Sequence, residues 1–260
     1  MEAVMQFLNR RTTLLYYQDM FLHRASAHVV KVGEDYIELD RTVAYPEGGG
    51  QEADMGMITR ANGQSIRYTG AKKLFGRMIF LDEFPNIQVE GVIHHLVHPE
   101  DASVLSACRV GEKVDVEIDI ERRARLSLSH TASHLLYIGI NQVRPDAIAG
   151  IFGCHIKIDS ARFDCHVRER FTALELQQIA EISSQLALRN SGIEMFSHHL
   201  EQEARYWKCE GHIIACGGTH LGQTGAVGPI SVRRKCLGKG KERISCEFPR
   251  ASIALEKYHA

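Results

Sequence analysis

Long apolar runs are absent from the 260 residues. No stretch approaches the roughly 18 residues that a membrane-spanning helix needs, so no membrane partner is expected. The first residues read MEAVMQFLNRR, with an acid at Glu2 and the basic pair Arg10–Arg11 after the apolar stretch. That is the wrong order for a secretory signal, and the expected location is the cytoplasm. The seven cysteines (108, 154, 165, 209, 216, 236 and 246) contain no CxxC pair and no cystine-framework spacing. An odd count in such a chain points to reduced thiols. Internal repeats and low-complexity tracts are missing. So are GxGxxG and GxxxxGK, which argues against a nucleotide cofactor, and HExxH, which leaves no Glu beside a zinc ligand to act as base. No Ser-His-Asp pattern is defensible. Charge of one sign is not in excess: 31 basic residues against 32 acidic ones give −1, so composition alone makes no case for nucleic acid.

What is present is an ordinary folded composition, 44% hydrophobic, 24% charged and 7% aromatic, which rules out a disordered or fibrous chain. At about 150 residues per domain the length allows roughly 1.7 domains. Charge is distributed unevenly. Arg233, Arg234, Lys235, Lys239, Lys241 and Arg243 face a single acid, Glu242, and Arg122, Arg123 and Arg125 form a second cluster. These are either solvated faces or a phosphate-facing surface.

The first 120 residues read as β-rich. Alternating runs recur at Ala27–Val32, Tyr36–Leu39, Met55–Arg60, Arg77–Leu81 and Val114–Ile120, separated by turn signals such as Asn62-Gly63 and Gly111. A small barrel or sandwich is expected there. From Glu121 the pattern changes. Glu121–Val143 predicts a long helix whose apolar positions leave a polar stripe of Ser127, His130, Thr131 and His134, ended by Pro145. A second helix starts at the capping-box pair Thr172 and Glu175, uses Leu174, Ile179, Ile182, Leu186 and Leu188 as its apolar face, and stops at Gly192. A short helix near His199–Tyr206 and strands at Ile230–Arg234 and Arg243–Phe248 follow. The expected class is α+β, with a barrel-like domain over 1–120 and an α+β domain over 121–260.

Three features could carry chemistry. His130 and His134 are four apart on the proposed helix, one turn, which is the spacing that lets two imidazoles share a metal. Cys216-Gly-Gly-Thr-His220 offers a thiolate and an imidazole on a loop that glycine lets fold tightly. Two His plus Cys plus His is a zinc-type donor set, and its 82-residue gap (216 − 134) is unlike a zinc finger. The other readings are a structural zinc, or a buried thiol with satisfied histidines. Third, Gly48, Gly49 and Gly50 precede Gln51 in Tyr45-Pro-Glu-Gly-Gly-Gly-Gln51. Three consecutive glycines cost chain entropy to order and suggest close backbone approach to a ligand, the other reading being a β-turn.

Read together, these motifs resemble a known family. The segment Leu39–Gln51 with Asp54 and Gly56 is similar to the glycine-rich segment of alanyl-tRNA synthetases and their free-standing relatives. Ser129-His-Thr-Ala-Ser-His-Leu-Leu136 and Cys216-Gly-Gly-Thr-His220, with Thr224, Gly225 and Gly228, resemble the two zinc motifs of the shared editing domain. Arg162-Phe163-Asp164, the Glu175-Leu176 helix and the Gly238-Lys239-Gly240 turn fall in the same order. The resemblance covers about residues 10 to 250 and is to the medium-length AlaX type. It implies a zinc-containing editing domain, one zinc on His130, His134, Cys216 and His220, and ATP-independent hydrolysis of serine or glycine from mischarged alanine tRNA. Gly48–Gln51 would lie beside the substrate, and the chain would lack the aminoacylation domain and the longest relatives' C-terminal extension. Thr131 and Thr219, next to ligands, could offer hydroxyls to the substrate or act as packing residues. The basic residues at 233–243 would contact tRNA backbone. The chain departs from the family pattern at Gly153-Cys154-His155-Ile156, at Ile151 and at Ala44. The first two departures fall where relatives line the pocket. The metal is expected to be partly open, with one of its four candidate ligands replaced or linked through water. A zinc-containing tRNA-binding module without catalysis is the alternative; a general zinc hydrolase ranks last for want of HExxH. The Gly49-Gly50-Gln51 tripeptide resembles the release-factor tripeptide only in composition.

Overall fold

The computed structural model describes residues 10–260. The reading of charge order at the N-terminus concerns Met1–Asn9 and lies outside them. In chain order the first part holds β1 (Thr13–Leu14), β2 (Arg24–Val32), β3 (Tyr36–Leu39), β4 (Arg41–Thr42), β5 (Gly56–Arg60), β6 (Ser65–Leu74), β7 (Arg77–Leu81), β8 (Phe84–Val89), β9 (Val92–Val97), helix α1 (Ala102–Ser106) and β10 (Lys113–Ile118). Six of these strands close into an antiparallel barrel in the order β10-β2-β3-β9-β6-β5. Alternation explains β10: Val114, Val116 and Ile118 are buried in the barrel core with Ile37, Ile58, Ile66 and Ile93. The sequence pattern does not announce β6 or β9; the latter puts His94 and His95 in a buried run.

The second part runs α2 (Ile120–Val143), α3 (Pro145–Ala149), β11 (Ile151–Lys157), β12 (Ser160–His166), α4 (Ala173–Leu188), β13 (Glu194–Ser197), β14 (Arg205–Cys209), β15 (His212–Ala215), β16 (Ser231–Gly238) and β17 (Lys241–Glu247). The architecture is mixed α and β. A four-stranded sheet, β11-β12-β17-β16, packs one face on α2 and α4, and β13-β14-β15 form a smaller sheet. The long helix begins one residue earlier than its pattern suggests. Ile120 is helical rather than the end of a strand, because Asp119 caps the helix by accepting from Arg122 N at 3.0 Å. Pro145 opens α3 at its first turn, where its missing N–H is not needed.

The capping box at Thr172 and Glu175 is present in full. The helix ends earlier than Gly192, however, at Leu188, and the left-handed residue after it is Asn190 (φ 52°). Leu174 and Leu188, at the two ends, are exposed rather than part of the apolar face. The expected helix at His199–Tyr206 is not formed: turns lead into β14, whose alternation buries Trp207 and Cys209. Strand pairing with β13 and β15 outweighs the local pattern there.

The barrel meets the second part through charge and backbone. Arg123, fully buried on α2, holds Asp54 through Nε at 3.0–3.1 Å and donates to Met20 O and Val43 O at 3.0 and 2.7 Å. The glycine-rich segment lies along edge strand β11, with Ile156 N donating to Gly50 O at 2.7 Å and Glu52 N to Ile156 O at 3.0 Å.

Candidate metal centre

Residues four apart on a helix share a face. On α2 this sets the His130 and His134 rings 5.1 Å apart, both buried. Cys216 and His220 come from the loop after β15. Glycine is required there, because a Cβ on Gly218 would lie 2.1 Å from His130 Cε1. Donor atoms of His130, His134, Cys216 and His220 all lie within 4.8 Å of one another. Cys216 Sγ is 3.3 Å from His130 Nε2 and 3.4 Å from His220 Nε2. Corners of a tetrahedron with zinc-like bond lengths of about 2.0–2.3 Å are separated by about 3.3–3.6 Å, so the group fits a metal ion.

Two further observations fit one. Nδ1 of His134 is buried without a hydrogen-bond partner among the described residues, which is costly unless the ring has a partner the polypeptide does not supply. Burial pushes His130 down to about 3 and drives His134 and His220 well below the usual imidazole range, the neighbouring imidazoles adding to it. Burial also pushes the Cys216 thiol up to about 12. Three neutral imidazoles thus keep their lone pairs, and a bound cation would favour the thiolate, the thiol proton leaving to solvent.

Two of the three imidazoles are held from behind. Gln51 Oε1 accepts from His130 Nδ1 at 2.7 Å and from Thr219 N at 3.0 Å, while Gln51 Nε2 donates to Thr219 Oγ1 at 3.0 Å. Ser127 Oγ donates to the same Thr219 oxygen at 2.9 Å. Thr131 Oγ1 donates to Ser127 O at 2.9 Å and lies 3.4 Å from His220 Nδ1. These contacts fix the rings of His130 and His220 and leave the Nε2 of each beside Cys216 Sγ.

A cavity of about 580 Å³ opens against His130, His134 and Cys216. Gly48 and Gly49 form part of its wall, as do Ile151, Cys154, Ile156 and Phe163. Gly50 packs on Cys154 instead, a Cβ there being 2.9 Å from Sγ. Gln51, Thr131 and Thr219 do not reach the cavity wall as substrate groups would. They are at most 1% exposed and spend their polar atoms on the cluster. Ala44 is buried in the barrel core. Several further cavity residues are not among the candidate site residues of the sequence. Ser133 and Tyr137 lie three and seven beyond His130, so helical spacing marks them; nothing local marks Tyr17 or Arg205.

The basic residues divide by strand face. Paired residues share a face, so Arg162, Ser245 and Arg233 point one way with His155, and Asp164, Arg243 and Lys235 the same way with Gly153. Arg234 points to the opposite face and pairs with buried Glu242. It is exposed all the same, on the other side of the strand from Arg233 and Lys235. Lys239 sits in the turn before Lys241.

No family profile matches the chain. Among curated proteins it is 31% identical to the alanyl-tRNA editing protein AlaX-M of Methanosarcina mazei, over 88% of this chain and 93% of that protein. It is 28% identical to the AlaX-M protein of Pyrococcus horikoshii, over 90% and 96%. The chain belongs to the AlaX-M family of alanyl-tRNA editing proteins. It is also 31% identical to the alanine–tRNA ligase of Methanopyrus kandleri over 95% of its own length, but spans only 27% of that ligase. In this AlaX-M chain the four clustered residues come from both motifs of the family resemblance, and the glycine-rich segment supplies Gln51 behind them.

Proposed function

We propose that the chain is a trans-editing hydrolase that removes serine, and glycine as a second substrate, from the 3′ end of mischarged alanine tRNA. One zinc on His130, His134, Cys216 and His220 is the proposed cofactor. The observation that carries this reading is the position of three of the four clustered residues on the wall of a cavity sized for a small-molecule ligand, with a glycine backbone opposite them. Bound zinc would supply Lewis-acid chemistry, polarising the ester carbonyl or acidifying a water.

The chain's own residues account for the rest. Gly49, at φ 58° with nothing within 4 Å of where a Cβ would stand, lets a substrate approach the backbone closely. Arg205, held by Ser197 Oγ at 3.1 Å and by the Tyr17 ring, puts a cation on the cavity wall for a phosphate of the terminal nucleotide. Rejecting alanine requires partners for the serine hydroxyl that alanine would leave unpaired. Ser133, whose Oγ donates to His130 O at 2.7 Å and can still accept, lines the cavity, as does Cys154. An aminoacyl ester is already activated, so no ATP or nucleotide cofactor is needed. The expected setting is the cytoplasm, with charged tRNA as the partner.

A set of four protein donors can close a zinc ion, and this favours a second reading, a zinc-containing tRNA-binding module without turnover. The hydrolase reading requires one of the four to exchange for water. Deacylation of serine-, glycine- and alanine-charged alanine tRNA, with and without a chelator and in Cys216→Ala, separates the two. Metal-dependent loss of serine or glycine with alanine spared supports the hydrolase. Retained tRNA and metal with no turnover on any substrate supports the module.

A further inference from the structure

The four-stranded sheet has two faces with different contents. One packs on α2 and α4 and carries Ile156, Phe163, Ile244 and Cys246. The other is open and cationic. Arg233, Lys235 and Lys241 are exposed there, and Arg162 and Arg243 share one carboxylate, Asp164, with Arg243 Nε 2.7 Å from Oδ1. Arg233 has an acid in reach, Glu247 at 3.2 Å, but is 71% exposed, so that pair is weak. On a chain of net charge −1, this is a concentrated positive surface.

The same edge strand, β11, also borders the cavity. Ile151 and Cys154 line the cavity, whereas Phe152 between them is 49% exposed and lies 4.6 Å from the His166 ring, with Lys241 Nζ 5.7 Å from its own ring centre. An exposed aromatic among cations offers a stacking platform next to phosphate contacts.

We propose that the open face of this sheet binds the phosphate backbone of the tRNA acceptor stem through Arg233, Lys235 and Lys241, and that Phe152 stacks on the first unpaired nucleotide before the strand turns into the cavity. This rests on the tRNA reading above and names its surface. Charge complementarity selects the occupant: cations spaced along successive strands suit a repeating polyanion, and the aromatic suits a base rather than a second protein.

The test is binding of uncharged alanine tRNA by the whole chain, with no turnover required. In the triple variant Arg233→Ala, Lys235→Ala, Lys241→Ala the dissociation constant should rise at least about tenfold, and the log–log salt slope should fall by about one per cation removed. Lys113→Ala, on the barrel, should leave both unchanged. Phe152→Ala should weaken tRNA carrying its single-stranded 3′ end about tenfold and leave a transcript trimmed of that end unaffected. Melting temperature and metal content verify folding. Wild-type affinity and slope in the triple variant would overturn the surface while leaving the hydrolase reading intact. Absent turnover in the wild type, with these binding losses, would overturn the hydrolase and leave the surface.

Discussion

Gln51 Oε1 lies 2.7 Å from Nδ1 of His130, joining residues 79 apart in the chain. The glutamine ends the glycine-rich segment, and the histidine belongs to α2. The bond fixes the imidazole with its proton on Nδ1 and its lone pair on Nε2, the nitrogen 3.3 Å from Cys216 Sγ.

Gln51→Ala should therefore weaken metal binding rather than only substrate binding. Loss of such a supporting contact typically costs about 10–100-fold in metal affinity. Titration with a competing chelator measures it; unchanged affinity would refute the supporting role.

Gly218 has no room for a side chain. In Gly218→Ala a Cβ would stand 2.1 Å from His130 Cε1 and 2.9 Å from Gln51 Oε1. One of the two must move, so the variant should lose most bound metal. Overpacking of this kind costs about 1–3 kcal/mol, read as a lower denaturant midpoint. Gly63→Ala, in an open turn at φ 86°, should keep full metal content.

The Arg123–Asp54 pair is fully buried. Arg123→Ala leaves a buried carboxylate without its cation and also unpairs Met20 O and Val43 O. A cost of about 3–5 kcal/mol is expected from equilibrium unfolding. A loss below 1 kcal/mol would mean that the barrel does not depend on this contact.

His95 gives the barrel an acid-sensitive stability. Burial holds its imidazole down to about 4, with Thr42 Oγ1 2.8 Å from Nε2. The unfolded chain takes up this proton near pH 6.5, and the folded chain resists until about pH 4. Stability is thus full above about 6.5 and falls as pH drops toward 4, by on the order of 3 kcal/mol at the limit. Urea midpoints from pH 7 to 4.5 should fall less steeply in His95→Gln than in the wild type.

Removing the metal should matter most at α2. Without a cation the cluster is three buried neutral imidazoles and a protonated thiol, with His134 Nδ1 unpartnered among the described residues. Chelation should lower the melting temperature, and addition of one metal equivalent should restore it. An identical melting temperature in both states would show that the cluster does not bind a metal.

The sequence by itself determined what depends on neighbours along the chain. The 3.6-residue helical repeat put His130 and His134 on one face, Thr172 and Glu175 capped their helix, and period-2 alternation buried Val114, Val116 and Ile118. Local patterns also misled where tertiary pairing was stronger, as at His199–Tyr206, and they did not reveal β9 or β11. Only the folded chain decided that Cys216 meets His130 across 86 residues, that Gln51 and Thr219 turn behind the imidazoles rather than into the cavity, and that Arg234 reaches buried Glu242 while Arg233 and Lys235 face the other way. Which face of a strand is covered, and which polar atom finds which partner, follows from packing between distant segments. No short stretch of sequence contains both halves of that contact.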